Sequence, residues 1–417
     1  MNIIYINHYA GSLQHGFQYR PYYFAREWQK AGHKVTIIAS SFSHTREVNW
    51  EQEEAIREET VDGVDYVWIR GSDYHGNGVK RAMSMAKFVS YLYRRASYFA
   101  KKYKPDAVIT SSTYPLDHYA GYRIAKKAGA RLVHEVHDIW PLSPMEIGQM
   151  KPSNPFIMVM QKAENDAYRR SDDVVSIIPK AFPHMKEHGL EERKYHAIPN
   201  GVVLSDWAPE NREPIDANLR QQLDNLRNQG QFLIGYAGGH AKSNAMEYFI
   251  EAAQYIQDLP ITLVDVGRGV ERPSLEARAK ELGLNNILFV PPVKKTQIYE
   301  LLKCFDAGYL GWNDTPLYNF GTSPNKIFDY MMAELPIIHI YDYPHDLVKI
   351  ANCGLSNPEM KNPKAIAGTM KAMLELSAAE REAMGQRGHQ YVIEHNSYDV
   401  LAPKFLSVLK GEAVGEA

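Results

Sequence analysis

Residues 320–338, FGTSPNKIFDYMMAELPII, place a glycine and four polar residues before a short apolar helix. Ser323 is a favoured N-cap residue and Pro324 a favoured first helical residue, so the sequence predicts a helix start there. The unpaired N–H groups of a helix start suit a phosphate. Lys326 in the first turn opposes the helix dipole unless an anion lies nearby. The stretch therefore predicts a diphosphate site. An exposed ion pair between Lys326 and Asp329 is the alternative.

Three more residues of this stretch could contact a nucleotide. Asp329 is an acceptor when ionised and could bind two hydroxyls, such as those of a ribose. Gly321 would let the backbone approach a ligand closely. Asn325 lies at the predicted helix start and is counted among the candidate ligand-binding residues.

A second candidate phosphate site lies in residues 236–253, YAGGHAKSNAMEYFIEAA, where a strand, two glycines and a polar loop precede a helix. This order of elements is typical of an anion-binding turn. Gly239 and Lys242 are the residues of this turn that are candidates for contact with the anion. Arg268 lies between two glycines in VDVGRGVERP, residues 264–273. Ordinary turns with solvated cations are the alternative at both places.

The first half of the chain has two candidate ligand contacts after predicted strands. Gly16 lies in a polar loop, where it would let the backbone approach a ligand, with a flexible loop as the alternative. In VHEVHDIWP, residues 133–141, His137 comes at the carboxyl end of a strand, where ligands collect in open parallel sheets. His134 is expected to be a core histidine. His137 and Lys326 are the candidate catalytic residues.

Residues 79–105 predict a basic amphipathic helix. Between Lys80 and Lys104 the chain carries eight Lys and Arg residues and no acidic residue. Such helices often lie on anionic membranes, and a core-packed helix with a solvated basic face is the alternative. The candidate membrane-contact residues are Lys87, Arg94, Arg95 and Lys101.

Length and composition narrow the class of protein. A chain of 417 residues predicts two domains. The net charge of −2 gives no indication of nucleic-acid binding.

Two cysteines outside any metal or redox motif predict reduced thiols in a cytosolic protein. The first residues, MNIIYINHYAG, predict a strand rather than a signal peptide, and no apolar run approaches the roughly 18 residues of a membrane span.

Strand-like and helical stretches alternate along the chain. This pattern predicts an α/β fold of two Rossmann-like domains that face a central cleft. We expect the first domain at 1–202, a linker at 203–230 and the second domain at 231–396, with a helix at 397–410 packing back on the first. The predicted strands are 3–7, 34–40, 65–70, 106–112, 131–137, 173–178, 195–201, 232–238, 261–267, 286–291, 307–312 and 336–340.

Six motifs carry a resemblance to a known family: HYAGSLQHGFQYRPYYFAREWQKAGHKVTIIAS, VDGVDYVWIRG, HEVHDIWP, AIPNGVVLSDWAP, NILFVPPVKKTQIYELLKCFDAGYLGW and SPNKIFDYMMAELPII. Their order and spacing resemble the retaining GT-B-fold glycosyltransferases of the family-four group, close to bacterial enzymes of O-antigen, capsule and lipopolysaccharide synthesis. The resemblance covers nearly the whole chain. It implies transfer of a sugar from a nucleotide-diphosphate donor, most often a UDP-sugar, with retention at the anomeric carbon.

The resemblance also implies roles for single residues. In this family the C-terminal half holds the nucleotide, and a Glu-x7-Glu motif contacts the donor sugar and the ribose. Asp329 stands at the second position, which implies a ribose contact. Gly321 stands at the first, so the backbone N–H groups of Thr322 and Ser323 are expected to serve the donor sugar instead.

The family's Arg and Lys on the donor phosphates are replaced here by Gly239 and Asn244. The positive charge is therefore expected from Lys242, Lys326 or Arg268.

In the first half, Gly16 matches the family's loop glycine, and His137 matches its cleft histidine, which contacts the donor sugar. The resemblance implies a nucleotide-sugar co-substrate, no metal and no cofactor. The expected acceptor is a glycan or a sugar on a lipid diphosphate. Helix 80–104 would then meet an anionic membrane, and the protein would be cytoplasmic or peripheral on the inner face of the plasma membrane.

The donor sugar is left open, with UDP-N-acetylhexosamine types among the candidates. Two other functions stay in competition. One is a UDP-sugar epimerase or hydrolase with the same fold. The other is a catalytically silent nucleotide-sugar-binding scaffold, which the glycine at the first motif position favours.

Overall fold

The computed structural model describes residues 1–16, 18–74, 76 and 78–412. The chain forms two compact units. The first contains Met1–Asn200 and the chain from Tyr398 onward, and the second contains Gly201–Ser397.

The first unit is built on a sheet with the strand order β3-β4-β2-β1-β5-β6-β7-β8. Neighbouring strands are parallel except β3, which pairs antiparallel with β4. The apolar strand residues are buried under helices on both faces, as expected of parallel strands. The strands are β1 (Asn2–Ile6), β2 (Lys34–Ser40), β3 (Ile56–Val61), β4 (Val64–Ile69), β5 (Ala107–Thr110), β6 (Arg131–Val136), β7 (Asp173–Ser176) and β8 (Tyr195–Ala197).

The helices of this unit each bury one apolar face against the sheet or a neighbouring helix. One core joins β1 and β5 to the apolar faces of the helices at 79–103 and 117–128. The helices up to residue 200 are α1 (Arg20–Lys30), α2 (Val79–Arg94), α3 (Ala96–Tyr103), α4 (Asp117–Ala128), α5 (Leu142–Glu146), α6 (Pro155–Arg170) and α7 (Phe182–Glu187).

The second unit contains a parallel sheet with the order β11-β10-β9-β12-β13-β14. Two apolar cores cover its faces. Its strands are β9 (Phe232–Gly239), β10 (Ile261–Arg268), β11 (Ile287–Val290), β12 (Ala307–Gly311), β13 (Ile337–Ile340) and β14 (Gly354–Asn357). Its helices are α8 (Ala217–Asn228), α9 (Met246–Ala252), α10 (Arg272–Glu281), α11 (Ile298–Leu302), α12 (Asn325–Met332), α13 (Leu347–Ile350), α14 (Pro363–Glu375) and α15 (Ala378–Asn396).

The last helix, α16 (Tyr398–Lys410), belongs to the first unit and packs on α1. Trp28 donates its indole N–H to the Ala402 carbonyl at 2.9 Å, and Phe405 meets the Trp28 ring edge-on at 5.3 Å. Residues 203–230, which the sequence predicts as a linker, contain α8, and their Trp207 and Leu223 lie in a core of the second unit.

Two elements of the sheets were not predicted. β3 is an edge strand with mostly exposed polar residues, so it lacks an apolar run. Asp62 and Gly63, both with positive φ, turn it into β4 in the manner of a tight hairpin. β14 is short and only partly buried. The predicted basic helix is also divided at Arg95 into α2 and α3.

Because the strands of each sheet run parallel, their carboxyl ends share one edge. In the second unit this edge carries the ends of β9, β10, β12 and β13. In the first unit it carries the ends of β1, β5 and β6. The candidate site residues follow these strand ends. Among the described residues, no helix combines the length and the apolar character that crossing a bilayer requires.

Candidate functional site

Lys326 of the second unit lies at the carboxyl end of β9. Its Nζ donates to Asn244 Oδ1 at 3.1 Å and lies 5.4 Å from the centroid of the Tyr236 ring. Asn244 in turn donates its amide N–H to the Gly239 carbonyl at 2.8 Å. The lysine is therefore held by the loop after β9 through neutral groups, an amide oxygen and an aromatic ring.

A glycine makes room for this lysine. A Cβ at Gly238 would lie 2.6 Å from Lys326 Cδ, so any other residue would push the side chain away from the strand end. Tyr236 supports the same turn, because its hydroxyl donates to the Gly239 carbonyl at 2.7 Å. Burial lowers the pKa of Lys326 to about 8, against a smaller opposite effect of Asp329. The ammonium is still mostly charged at pH 7.

The helix that carries Lys326 begins one residue later than the sequence predicts. Pro324 has extended dihedral angles (φ −79°, ψ 134°) and takes the N-cap position, so the first helical residue is Asn325 and Ser323 lies outside the helix. The first backbone hydrogen bond runs from the Ile327 N–H to the Pro324 carbonyl at 3.3 Å. The amides of Asn325 and Lys326 lie in the first turn of this helix, where negative charge is favoured.

Asp329 lies one turn further along α12 and is partly buried. Burial raises the pKa of its carboxyl to about 6, although the charges of Lys295 and Lys326 lower it. Within the described part of the chain, no hydrogen bond of this carboxylate to another side chain is formed. A carboxylate that is partly buried, has a raised pKa and accepts no side-chain hydrogen bond is typical of a ligand-binding position.

The other predicted residues of the second unit lie around the same strand ends. Gly321 has φ +81°, a conformation that suits glycine. Thr322 is partly buried, with Oγ1 3.5 Å from the Tyr341 hydroxyl. Ser323 is partly buried and Asn325 is exposed. Gly239, Lys242 and Arg268 are exposed at the ends of β9 and β10 or in the loop that follows β9.

A buried pair holds these two loops together. His240 Nε2 lies 2.6 Å from Asp265 Oδ1, and neither side chain is exposed. The His240 N–H donates to the Arg268 carbonyl at 2.9 Å. A Cβ at Gly269 would lie 2.3 Å from the His240 carbonyl oxygen, so the two loops touch through their backbones. The positions of Lys242 and Arg268 are thereby coupled.

His137 of the first unit is held by a buried carboxylate. Its Nε2 lies 2.9 Å from Glu135 Oε2 and 2.8 Å from Ser111 Oγ. Ser111 donates its own hydroxyl to Glu135 at 2.6 Å. Because an ionised carboxylate only accepts, the proton of a neutral His137 is placed on Nε2. The other ring nitrogen, Nδ1, is then the atom that can accept a hydrogen bond.

Glu135 is fully buried on β6 and is neutralised by Arg20 at the start of α1. Arg20 Nε donates to Glu135 Oε1 at 2.9 Å, and the other guanidinium nitrogens bind the Ile198 and Pro199 carbonyls. Burial pushes the pKa of Glu135 upward, but Arg20, His137 and the hydrogen bonds outweigh it and hold the pKa well below its usual range. The carboxylate is charged at neutral pH.

Gly16 has φ +93° and is buried. A Cβ there would lie 2.8 Å from the Glu47 backbone nitrogen, so its close backbone approach is to the chain itself. His134 is buried and its Nδ1 lies 2.9 Å from Thr110 Oγ1, as a core histidine would be.

The four basic residues proposed for membrane contact are exposed on α2, α3 and the break between them: Lys87, Arg94, Arg95 and Lys101. Met83, Tyr93 and Tyr98 are exposed on the same helices, while Phe88, Leu92 and Phe99 pack into the core.

Two family models match the chain one after the other. The model of Glycosyltransferase Family 4 matches residues 16–206, and the model of Glycosyl transferases group 1 matches residues 231–376. The chain belongs to the glycosyltransferases with the GT-B fold. The expected family and the expected pair of Rossmann-like domains are thus confirmed for this glycosyltransferase.

Individual relatives agree with this assignment. WcaI of Escherichia coli (strain K12), named as a glycosyl transferase of colanic acid biosynthesis, is 27% identical over 293 residues, which are 67% of this chain and 69% of WcaI. The sucrose-phosphate synthase of Thermosynechococcus elongatus has a TM-score of 0.72 at 14% identity over 99% of both chains. HepE of Anabaena, solved in complex with UDP, has a TM-score of 0.68 at 14% identity over 99% of this chain and 100% of HepE.

Several residues around the candidate site were missed from the sequence. Glu135 could have been found, because a charged residue inside an apolar strand must be paired. Its partner Arg20, more than a hundred positions away, had no such signal. Asn244 was noted only as the replacement of a family lysine, yet it binds Lys326.

Proposed function

We propose that this glycosyltransferase moves a sugar from a UDP-sugar to a glycan or a lipid-linked sugar, with retention of anomeric configuration, in bacterial surface polysaccharide synthesis. The main support is Lys326, a partly buried cation at the start of α12 and the end of β9. HepE, which shares the fold, was solved with UDP, and WcaI is named for colanic acid biosynthesis.

The leaving diphosphate would lie at the end of β9. As the bond between the anomeric carbon and the diphosphate breaks, negative charge grows on the diphosphate oxygens. Lys326 and the amides at the start of α12 would stabilise this charge, with Lys242 and Arg268 as further cations. A bound dianion would also raise the pKa of Lys326 again, since opposite charge favours the ammonium.

The remaining residues would position the donor. Asp329 would accept from the ribose hydroxyls, and the N–H groups of Thr322 and Ser323 would contact the sugar, near Asn325. His137, fixed by Glu135, would offer Nδ1 to a hydroxyl of the donor sugar. In the front-face course the acceptor oxygen bonds to the anomeric carbon, and its proton moves to the departing phosphate. The proposal requires no metal and no cofactor.

A nucleotide screen tests the donor class. Thermal unfolding is followed with UDP, GDP, ADP and a panel of UDP-sugars, including UDP-N-acetylhexosamines. A ligand at 100 times its dissociation constant adds about 2.7 kcal/mol of apparent stability. Stabilisation by UDP and one UDP-sugar only would support the proposal. Equal or absent shifts with all nucleotides would contradict it.

Product analysis then separates the competing functions. With the selected donor and an acceptor, proton NMR of the new glycosidic bond reads the anomeric configuration. An unchanged configuration supports retention. An inverted product, release of free sugar alone, or an epimerised donor would each overturn a part of the proposal. Binding without any turnover would indicate the silent scaffold.

Replacement of Asp329 by Asn should have opposite effects on stability and binding. The ordinary pKa of Asp is 3.8 and that of Asp329 is about 6, so the folded state binds more protons between these values. Stability therefore falls as pH rises through this window. Asp329→Asn avoids that loss of stability. We expect its free energy of unfolding to exceed that of the parent chain by about 1–3 kcal/mol at pH 7, and this difference should vanish below about pH 4. UDP should bind less tightly.

Urea unfolding from pH 4 to 8, with UDP titration at pH 7, measures both effects. The exposed Asp224→Asn on α8 is the control, since its carboxylate lies in a solvent-exposed pair with Arg220. A variant that is less stable than the parent at pH 7, or that binds UDP as well, would remove Asp329 from the proposed site.

Removal of basic charge from α2 and α3 should weaken membrane binding. The variant Lys87→Gln, Arg94→Gln, Lys101→Gln loses three exposed cations, each worth about 1 kcal/mol at an anionic surface. We expect a large fall in co-sedimentation with phosphatidylglycerol-containing vesicles and no change with neutral vesicles.

A second triple variant controls for net charge. Lys349, Lys364 and Lys371 are exposed on the second unit, and their change to Gln removes the same charge elsewhere. If both variants lose vesicle binding equally, the α2 and α3 face has no special role.

A further inference from the structure

A cluster of metal-ligating groups lies between α6 and α7 of the first unit. Ligand atoms of Glu164, His184 and His188 all lie within 4.8 Å of one another. His184 and His188 are four positions apart at α7, so both project from one face of the helix toward α6. Glu164 comes from the middle of α6 and is buried.

Two ligand atoms of the cluster are already in contact. His184 Nε2 lies 2.9 Å from Glu164 Oε1. Tetrahedral Zn²⁺ with bonds of about 2.1 Å separates its ligand atoms by about 3.4 Å. A shift of roughly half an ångström would therefore open this contact to coordination. The two imidazole rings already lie 4.4 Å apart.

His188 is contacted by two amide side chains of α6. Its Nδ1 lies 2.9 Å from Gln161 Nε2 and 3.0 Å from Asn165 Oδ1. Gln161 donates an N–H to Nδ1 when this nitrogen carries a lone pair, and the Asn165 oxygen accepts from Nδ1 when it carries the proton. A metal bound at this nitrogen would replace both hydrogen bonds.

Two further features complete the site. Tyr168 donates its hydroxyl to Glu164 Oε1 at 2.9 Å, the kind of outer hydrogen bond that orients a ligating carboxylate. A cavity of about 410 Å³ lies beside the cluster and is lined in part by Gln161 and Asn165. Water from this cavity, or Asn165 Oδ1, could take the fourth position of a tetrahedral ion.

We propose that Glu164, His184 and His188 form a Zn²⁺ site that ties α7 to α6. Its proposed role is to hold the two helices together, which does not depend on the proposed donor or on the transfer reaction. Two imidazoles and one carboxylate suit Zn²⁺ better than Mg²⁺ or Ca²⁺, which prefer oxygen ligands.

The test is calorimetric titration of the metal-stripped full chain with ZnCl₂, together with thermal unfolding with and without Zn²⁺. We expect one equivalent to bind and to raise the unfolding temperature. His188→Gln should weaken binding about 10-fold or more and abolish the rise, because it removes a ligand. The matched control is His395→Gln, which removes an exposed histidine of the second unit and should change neither result.

Two outcomes would overturn the site. One is the absence of stoichiometric binding to the parent chain. The other is that His188→Gln and His395→Gln give the same result, whether both lose Zn²⁺ binding or both keep it. Either result would indicate that Zn²⁺ binds to scattered surface histidines. Glu164→Gln is a second ligand variant. If that variant does not fold, His188→Gln still decides, since His188 is only partly buried. MgCl₂ in place of ZnCl₂ should give no shift.

Discussion

Lys326→Met should lower the turnover of the transferase about 10²–10³-fold, equivalent to about 3–4 kcal/mol of transition-state stabilisation. The variant removes the positive charge of Lys326 from the end of β9, where negative charge would grow on the leaving diphosphate. Methionine keeps most of the apolar stem that lies against Gly238 and Tyr236, so the fold should persist. Steady-state kinetics with the donor found in the nucleotide screen measure kcat and KM separately.

The control for this variant is Lys280→Met on α10, an exposed lysine of the same unit. Its kinetics should match those of the parent chain. Asn244→Ala should have an intermediate effect, because it removes the hydrogen bond that positions Lys326 but not the charge. If Lys326→Met turns over normally, the diphosphate does not depend on this lysine, and Lys242 or Arg268 would have to carry the charge.

The strand alternation and the strand ends could be predicted because they depend on local patterns. Runs such as IIYI and FLIGYAG carry no charged or amide side chain, as expected of strands that are buried on both faces. Once the strands are known, the parallel topology places their carboxyl ends on one edge. His137 was predicted in this way, as a residue that follows a strand. Lys326 and Asp329 were predicted instead from the signals of a helix start, which are equally local.

The parts that were missed depend on contacts between distant positions or on backbone packing. α15 has no apolar stripe to detect. Its Gly385 packs so closely that a Cβ would lie 2.0 Å from the Glu334 carbonyl oxygen, and Gly388 faces Cys353 in the same manner. Small residues that allow close approach leave no periodic signal in a single sequence. The pairing of Asn244 with Lys326 likewise becomes visible only after folding.

Glu135→Gln should strongly destabilise the first unit. It removes the negative charge next to Arg20, whose guanidinium is buried at the start of α1. Breaking a buried pair by loss of one partner costs about 3–5 kcal/mol, because the other charge is left without compensation. Urea unfolding at pH 7 measures the loss. The same variant should lower turnover, since the Gln amide has one acceptor oxygen where the carboxylate has two, one for Arg20 and one for His137.

The pH dependence of this loss has a defined sign. The folded pKa of Glu135 lies well below the unfolded value, so the carboxylate contributes stability at every pH above the unfolded value, about 4.5. The difference between the parent chain and Glu135→Gln should therefore be constant from pH 7 to about 5.5 and shrink as the pH falls below about 4.5. A difference that grows toward acid pH would mean that Glu135 is protonated in the folded state.

A double-mutant cycle with Arg20→Met isolates the pair from the rest of the site. Each single variant leaves one buried charge, whereas the double variant leaves none. The double variant should therefore be more stable than the sum of the single effects predicts, by more than about 1 kcal/mol. Glu27→Gln, whose partner Lys30 is 58% exposed, should change stability by no more than about 0.5 kcal/mol. Additive effects in the cycle would show that Arg20 and Glu135 act separately.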